Sequence, residues 1–429
     1  MLAPLFFSVS TYAADPTITI NNGAEELYVA TGTKASADGK ASYNATNNVL
    51  TLNNFDGDDI KISNLENITI NLQGDNTISM ATENSTGIPQ GITAYNVDLT
   101  ITGTGSLKVN PTNLSSFKTS ASVIYANSIT IDSATLDFKA PTRTCIASNN
   151  SWATSGANGN VTINSGTLKL ACDSAILSEN ITINGGNIAI DNEFSSLIAT
   201  SKNLTVNDGN LTINAPDLNL GSAMTFSGNV EIKGGKTTIS GGQYGIDFTN
   251  LSGTLGQVGH FVITDGVLNI NNVGNGIHLD DANEDSYIEF SGGTTTIEAK
   301  YKTAEIIYNA ENDKNIKIAD GMKLYPENIT VEMEYTNYSN VWEEYAYYLA
   351  SDGKAVTFSI LSDKEITPPA DDEDLPVPDT GVPDTGFFTG EMDGTKAIIY
   401  AGAAILGAGA LYLVAYMAKR GIHRSRFRK

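Results

Sequence analysis

Three groups of residues have types and spacings that could do chemistry. The first is acidic. Asp280-Asp281-Ala-Asn-Glu284-Asp285 packs four carboxylates and an amide into six residues, the oxygen-rich composition from which calcium draws its six to eight ligands. Asp280, Asp281 and Asp285 are the candidate metal ligands, with Asp56, Asp58 and Asp59 a second cluster and Glu311-Asn-Asp313 a third. The other reading of each is a solvated acidic corner on an acidic protein. The second group is aromatic: Tyr335, Tyr338, Trp342, Tyr345, Tyr347 and Tyr348 follow one another closely. Such rings stack on sugar faces, and Trp342, Tyr345 and Tyr348 are the candidate ligand-binding residues. Large amphipathic rings also serve to cover the open end of a core. Trp152 is an aromatic candidate without aromatic neighbours. The third group is His278 beside Asp280 and Asp281, the one local set suited to the paired-carboxylate chemistry of polysaccharide lyases and glycosidases. Those enzymes also need convergent carboxylates and basic substrate clamps, whereas Arg143 is the sole arginine before the C-terminal tail. The chain is therefore expected not to be an enzyme, and no catalytic residue is assigned.

The elements that must position these residues are β-strands. The 429-residue chain is 41% hydrophobic and 17% charged, with 40 glycines, 18 tyrosines and three histidines. That composition suits short strands joined by turns, not a charged helical bundle. A net charge of −23 repels phosphate backbones and excludes nucleic acid as a partner, while leaving divalent cations and neutral or cationic ligands open. Two cysteines, Cys145 and Cys172, cannot make a disulfide framework or a four-thiolate zinc site. They lie one repeat apart in differing registers, so their pairing stays open.

One pattern recurs between about residues 15 and 363: apolar-Thr-apolar, a polar residue, a glycine-containing pair, then a second alternating strand. Clear copies are Leu99–Val109, Ile129–Phe138, Val161–Leu170 and Ile181–Ile190, with later ones at 204–213, 230–239, 262–270 and 288–297. The second apolar residue falls at Ile101, Ile131, Ile163, Ile183, Val206, Ile232, Ile263, Phe290 and Ile318, at spacings of 30, 32, 20, 23, 26, 31, 27 and 28. Alternation at period two is the strand signal, and a repeat of 20 to 50 residues indicates a solenoid or array. A third short apolar element precedes most copies, as in Gly91-Ile-Thr-Ala, Val123-Ile-Tyr-Ala and Gly276-Ile-His-Leu. Three strands per repeat predict an all-β fold, a right-handed parallel β-helix of about ten coils. Its N-terminal cap would lie within 15–52 and its C-terminal cap at 325–363.

The two ends carry targeting signals. Residues 1–14 pair an apolar run with small residues at Thr11 and Ala13, the pattern of a residual secretory signal peptide. Residues 397–418 are an uncharged run followed by a basic tail, 419–429, that holds Lys419, Arg420, Arg424, Arg426, Arg428 and Lys429. At ~1.5 Å per residue such a run spans a bilayer as a transmembrane helix, and the tail places its C-terminal side in the cytoplasm. Between rod and membrane, 364–396 form an acidic, proline-rich, extended linker with the tandem pentapeptides Val377-Pro378-Asp379-Thr380-Gly381 and Val382-Pro383-Asp384-Thr385-Gly386. This arrangement resembles the Leu-Pro-x-Thr-Gly sorting signal of Gram-positive surface proteins, with valine in place of leucine. The resemblance implies that sortase cleaves between Thr380 and Gly381 or between Thr385 and Gly386 and joins the threonine carbonyl to a peptidoglycan amine. Without cleavage the same segments would leave a single-pass membrane anchor.

The repeats carry a second resemblance. Ala41–Asn54, Ile68–Ile78 and Gly91–Leu107 look like bacterial extracellular carbohydrate-binding β-helix domains, over most of residues 17–325. The resemblance implies binding of polysaccharide, including acidic plant sugars, with calcium on coil corners. In that family the Gly-Ile-x-Ala segment commonly leads into acidic and lysine residues; here it leads into Tyr95-Asn96. The combined expectation is an exported, cell-wall-anchored surface protein that displays a polysaccharide-binding rod. An adhesin or self-associating rod that binds protein or cells is the alternative, and a polysaccharide-degrading enzyme a third.

Overall fold

The computed structural model describes residues 14–361 apart from 22, 81–90, 112–121, 149–158, 192–197, 216–220, 249–258, 309–314, 339–341 and 352–357. Trp152, the Glu311-Asn-Asp313 cluster, the N-terminal signal segment before Ala14, the linker with both sorting pentapeptides, the apolar span and the basic tail lie outside the described residues. Within them the chain is all β, with thirty-five strands and no helix, so no helix there is long and apolar enough to cross a membrane.

Apolar-Thr-apolar triplets make strands because β-branched side chains favour extended backbone. The pleat then turns the apolar pair inward and the threonine outward. Ile129-Thr130-Ile131 and Val161-Thr162-Ile163 both show this buried, half-buried, buried order.

Strand pairing is dominated by parallel ladders that step one repeat at a time. In the first ladder Ile60, Ile92, Ile124, Ile146, Ile176, Ile198, Met224, Ile246, Ile277 and Ala304 stand in register. In the second the row is Ile70, Ile101, Ile131, Ile163, Ile183, Val206, Ile232, Ile263, Phe290 and Ile318. In the third it is Ile78, Val109, Phe138, Leu170, Ile190, Ile213, Ile239, Ile270 and Ile297. The nine residues whose spacings define the repeat are thus consecutive members of the second ladder. The three rows feed one hydrophobic core, and each fully buried Ile or Leu contributes roughly 1.5–3 kcal/mol through water removed from its surface.

Antiparallel strands cover both ends of the first ladder and the far end of the third. Thr17–Ile20 pairs with Ile60–Ser63 at the start of the first ladder. At its far end Trp342–Ser351 pairs with Ala304–Tyr308 and with Ile329–Tyr338. Phe358–Leu361 pairs with Thr294–Ala299, the last strand of the third ladder, and with Lys323–Tyr325. These strands occupy edges whose backbone groups would otherwise offer a template to other chains.

The corners between second and third ladders explain the glycine content. Gly235, Gly266 and Gly293 have φ of +67°, +82° and +67°. A Cβ on Gly293 would lie 2.6 Å from the carbonyl oxygen of Gly266, and one on Gly266 would lie 2.6 Å from the carbonyl carbon of Gly234. Stacked turns in the left-handed region leave no room for a side chain.

The outer side of the second ladder carries hydrogen-bonded amides. Asn180 Nδ2 donates to Asn160 Oδ1 and Asn203 Nδ2 to Asn180 Oδ1, each at 2.9 Å. A second row runs from Asn207 to Asn184 at 2.7 Å and on to Asn164 at 2.9 Å. Thr162, Thr182 and Thr205 stand in register between the two rows. Cys145 and Cys172 are disulfide-bonded, with Cα atoms 5.7 Å apart. Their differing registers are reconciled by an irregularity between Ala140 and Thr144, which brings Cys145 alongside the strand that carries Cys172.

Candidate functional site

The acidic loop comes first. Asp280 and Asp281 lie in the strand Asn275–Ala282, and Asp285 in the turn that follows. The Asp285 backbone N–H donates to Asn283 Oδ1 at 2.9 Å, and Ser286 Oγ donates to the same oxygen at 3.1 Å. Asn283 therefore organises the turn. In the second cluster Asp58 accepts from Ser79 Oγ at 2.7 Å and Asp59 pairs with Lys61 at 2.9 Å. Among the described residues no group of three or more His, Cys, Asp or Glu side chains is placed to hold a metal ion.

His278 finds its partners across the first ladder, where Thr225, Asp247, His278 and Glu305 stand in register. His278 Nδ1 lies 3.0 Å from Asp247 Oδ1, and Nε2 lies 3.8 Å from Glu305 Oε2. Ser222 Oγ donates to the second Asp247 oxygen at 2.9 Å, and the Tyr244 ring stacks on the imidazole at a centroid distance of 4.6 Å. Ser222, Asp247 and His278 are all buried. Burial pushes the imidazole pKa down, but the hydrogen bond and charge of Asp247, with the charges of Asp280 and Glu305, outweigh it and hold His278 above its ordinary value. Burial raises the Glu305 carboxyl against the opposing pull of His278 and Lys302. This row has the chemistry of an acid–base centre, but its Asp247–His278 pair is buried and Glu305 is only partly exposed.

The C-terminal aromatics divide between the two sides of one hairpin. Tyr335 and Tyr345 pair across it with ring centroids 5.0 Å apart. Tyr347 is buried and meets Tyr308 edge-on at 5.8 Å. Tyr348 lies on the opposite side, in register with Glu305, with Lys302 Nζ 3.0 Å from its ring centroid. Trp342 begins the strand. Tyr345 and Tyr348 thus face different ways, while Tyr347 fills core.

A different aromatic pair is better placed to meet a ligand. Tyr95 ends the strand Ile92–Tyr95, and Tyr125 lies in Ser122–Ala126, its parallel neighbour. Alternation turns both outward. Tyr95 is 59% exposed, more than any other large apolar or aromatic side chain among the described residues. Its ring lies 6.3 Å from that of Tyr125 at an interplanar angle of 19°, so the two are nearly parallel. Lys61, Thr93 and Tyr125 share a row beside them. The corner following Tyr95 is fixed by Asn96 at φ 57° and by Asn127 Nδ2 donating to Asp98 Oδ1 at 2.7 Å. Sequence reading passes over this pair because the rings are thirty residues apart; the available signal was a large ring at an outward position of a repeat.

Residues 14–249, more than half of the chain, match a family described as carbohydrate-binding domain-containing protein. The chain belongs to that family. Membership indicates carbohydrate binding, and the matched span of this carbohydrate-binding domain includes Tyr95, Tyr125, both cysteines and the amide rows. His278, Glu305, the acidic loop at 280–285 and the C-terminal aromatics lie beyond it. No curated protein and no solved structure matches the chain.

Proposed function

We propose that the protein is an exported, cell-wall-anchored surface protein whose domain binds polysaccharide and which performs no catalysis itself. The observation that carries this reading is the carbohydrate-binding family match over 14–249, within which the exposed Tyr95 ring stands outward beside the half-buried Tyr125. In this reading the three parallel ladders are the faces of one right-handed β-helix of about ten coils, with 15–52 and 325–363 as its caps. One-repeat steps in all three ladders support it. The tandem Val-Pro-Asp-Thr-Gly pentapeptides, the apolar span 397–418 and the basic tail support membrane insertion followed by transfer to peptidoglycan by sortase.

The buried setting of the Asp247–His278 pair favours binding over catalysis. A second reading, a self-associating or protein-binding rod, is favoured by the two amide rows, which present a flat, uncharged array of donors and acceptors. Screening the full chain on a polysaccharide array, with calcium and with chelator, separates the two. Binding to a defined glycan supports the first, with loss on chelation assigning calcium a role; silence on every glycan together with concentration-dependent self-association supports the second. Mass spectrometry of wall-released material, showing a chain that ends at Thr380 or Thr385, would establish sorting, and a C-terminus after Lys429 would exclude it.

A further inference from the structure

From the geometry and charge around Tyr95 and Tyr125 we infer that this pair is the polysaccharide-binding platform and that its ligand is an uncharged chain of pyranose sugars. The inference rests on the carbohydrate-binding reading above and names its site and ligand class. A ring face carries the negative side of the aromatic quadrupole, and the C–H groups on the apolar face of a pyranose carry partial positive charge. The two attract over the area of one sugar. The exposed Tyr95 ring offers such a face, and the half-buried Tyr125 ring stacks beside it, 6.3 Å away and 19° from parallel. They come from adjacent parallel strands, which are separated by about 4.8 Å, so a chain crossing the ladder meets both rings. Affinity from stacking alone would be indifferent to sugar type; hydrogen-bonding groups at the margin supply orientation.

The margin decides the charge of the ligand. Lys61 contributes the one cation in the adjoining row, and its ammonium is paired with Asp59 at 2.9 Å. Beyond the ring of Tyr95 the corner presents the Asp98 carboxylate, exposed and held in place by Asn127. The whole chain carries a net charge of −23. A polyuronate, with one carboxylate per sugar, would approach matched and negative groups. Neutral sugar hydroxyls can instead donate to Asp98 and accept from Lys61. The C-terminal aromatics lack this arrangement, since Tyr345 and Tyr348 face opposite sides of their strand.

The test measures binding of the full chain to a soluble neutral β-glucan and to polygalacturonate, for the native protein and for Tyr95→Ala, Tyr95→Phe and Tyr335→Ala. Tyr95 is exposed enough for its truncation to leave the fold intact, and thermal melting of each variant checks this. The expected result is binding to the neutral glucan, a loss of at least tenfold with Tyr95→Ala, recovery of most affinity with Tyr95→Phe, and no change with Tyr335→Ala. Binding to polygalacturonate alone would overturn the neutral-ligand inference while leaving carbohydrate binding standing. Glucan binding unaffected by Tyr95→Ala would overturn the site. Failure of both polymers, extended to failure of the whole array, would remove the parent reading and this inference with it.

Discussion

The outward row of the first ladder changes character along its length. At one end stand Lys61, Thr93 and Tyr125, with exposed Tyr95 beside them; at the other stand Asp247, His278 and Glu305, leading to Tyr348. Both ends are built by the same parallel register and sit on the same core. At the first, aromatic rings with little polar demand are left facing solvent, where a ligand can reach them. At the second, Asp247 and His278 are buried and hydrogen-bonded to each other, with the partly covered Glu305 3.8 Å beyond. Equivalent positions in a repeat thus serve recognition where they are open and internal cohesion where they are covered.

Truncating the covered end should have the largest effect on the fold. Asp247→Ala removes the partner of both His278 and Ser222, and breaking a buried pair of this kind costs about 3–5 kcal/mol. Urea unfolding should show it; a loss below about 1 kcal/mol would mean that solvent already reaches the row. Next comes the disulfide, which closes a sequence separation of 27 residues and by loop-closure entropy contributes about 3.5 kcal/mol. A Cys145→Ser/Cys172→Ser double variant should lose that much unfolding free energy in urea and still bind glycan.

A third difference between the ends is their response to pH. His278 has a raised folded-state pKa, so its contribution is fully present below about pH 6.5, the unfolded value, and is lost as pH rises through the folded value. Glu305 is also raised, by burial. Folding therefore favours its protonated form, and stability falls as pH climbs above the ordinary carboxylate range. The two act in the same direction. Urea midpoints should decline from mildly acidic to neutral pH, and His278→Gln should flatten the upper part of that decline. A flat native profile would count against the enclosed row.

Smaller effects belong to the outer surfaces. Asn184 donates to Asn164 and accepts from Asn207, so Asn184→Ala should cost about 1 kcal/mol. Tyr95→Ala should change stability by no more than about 0.5 kcal/mol while abolishing most glycan affinity. The reversed ordering, a large stability loss with unchanged binding, would erase the distinction between the two ends.

The repeat was legible in the sequence because each apolar-Thr-apolar triplet must bury two side chains and expose one. Any one-residue slip would turn the core outward, so the spacing from Ile101 to Ile318 fixes the register of the second ladder. Site residues obey no such constraint. Asp280 and Asp281 are the chain neighbours of His278, yet its hydrogen-bonding partner is Asp247, 31 residues away, and Glu305 lies across the next strand. Asp280 adds its charge to the same imidazole. Tyr95 and Tyr125 leave no periodic trace, since an exposed ring is optional for folding. The density of aromatics at 335–348 has a different cause: antiparallel strands at the end of a ladder need large rings such as Tyr347 to complete the core.

Hydroxyl-radical footprinting of the full chain, with and without a neutral polysaccharide, tests carbohydrate recognition at the first ladder most directly. Tyr95, Tyr301, Tyr325 and Tyr335 are all more than 40% exposed, so each reports on its own surroundings. Protection of Tyr95, accompanied by Tyr125, with the other three unchanged is the predicted result. Protection of Tyr335 in place of Tyr95, or of no tyrosine while the polymer is bound, would contradict it.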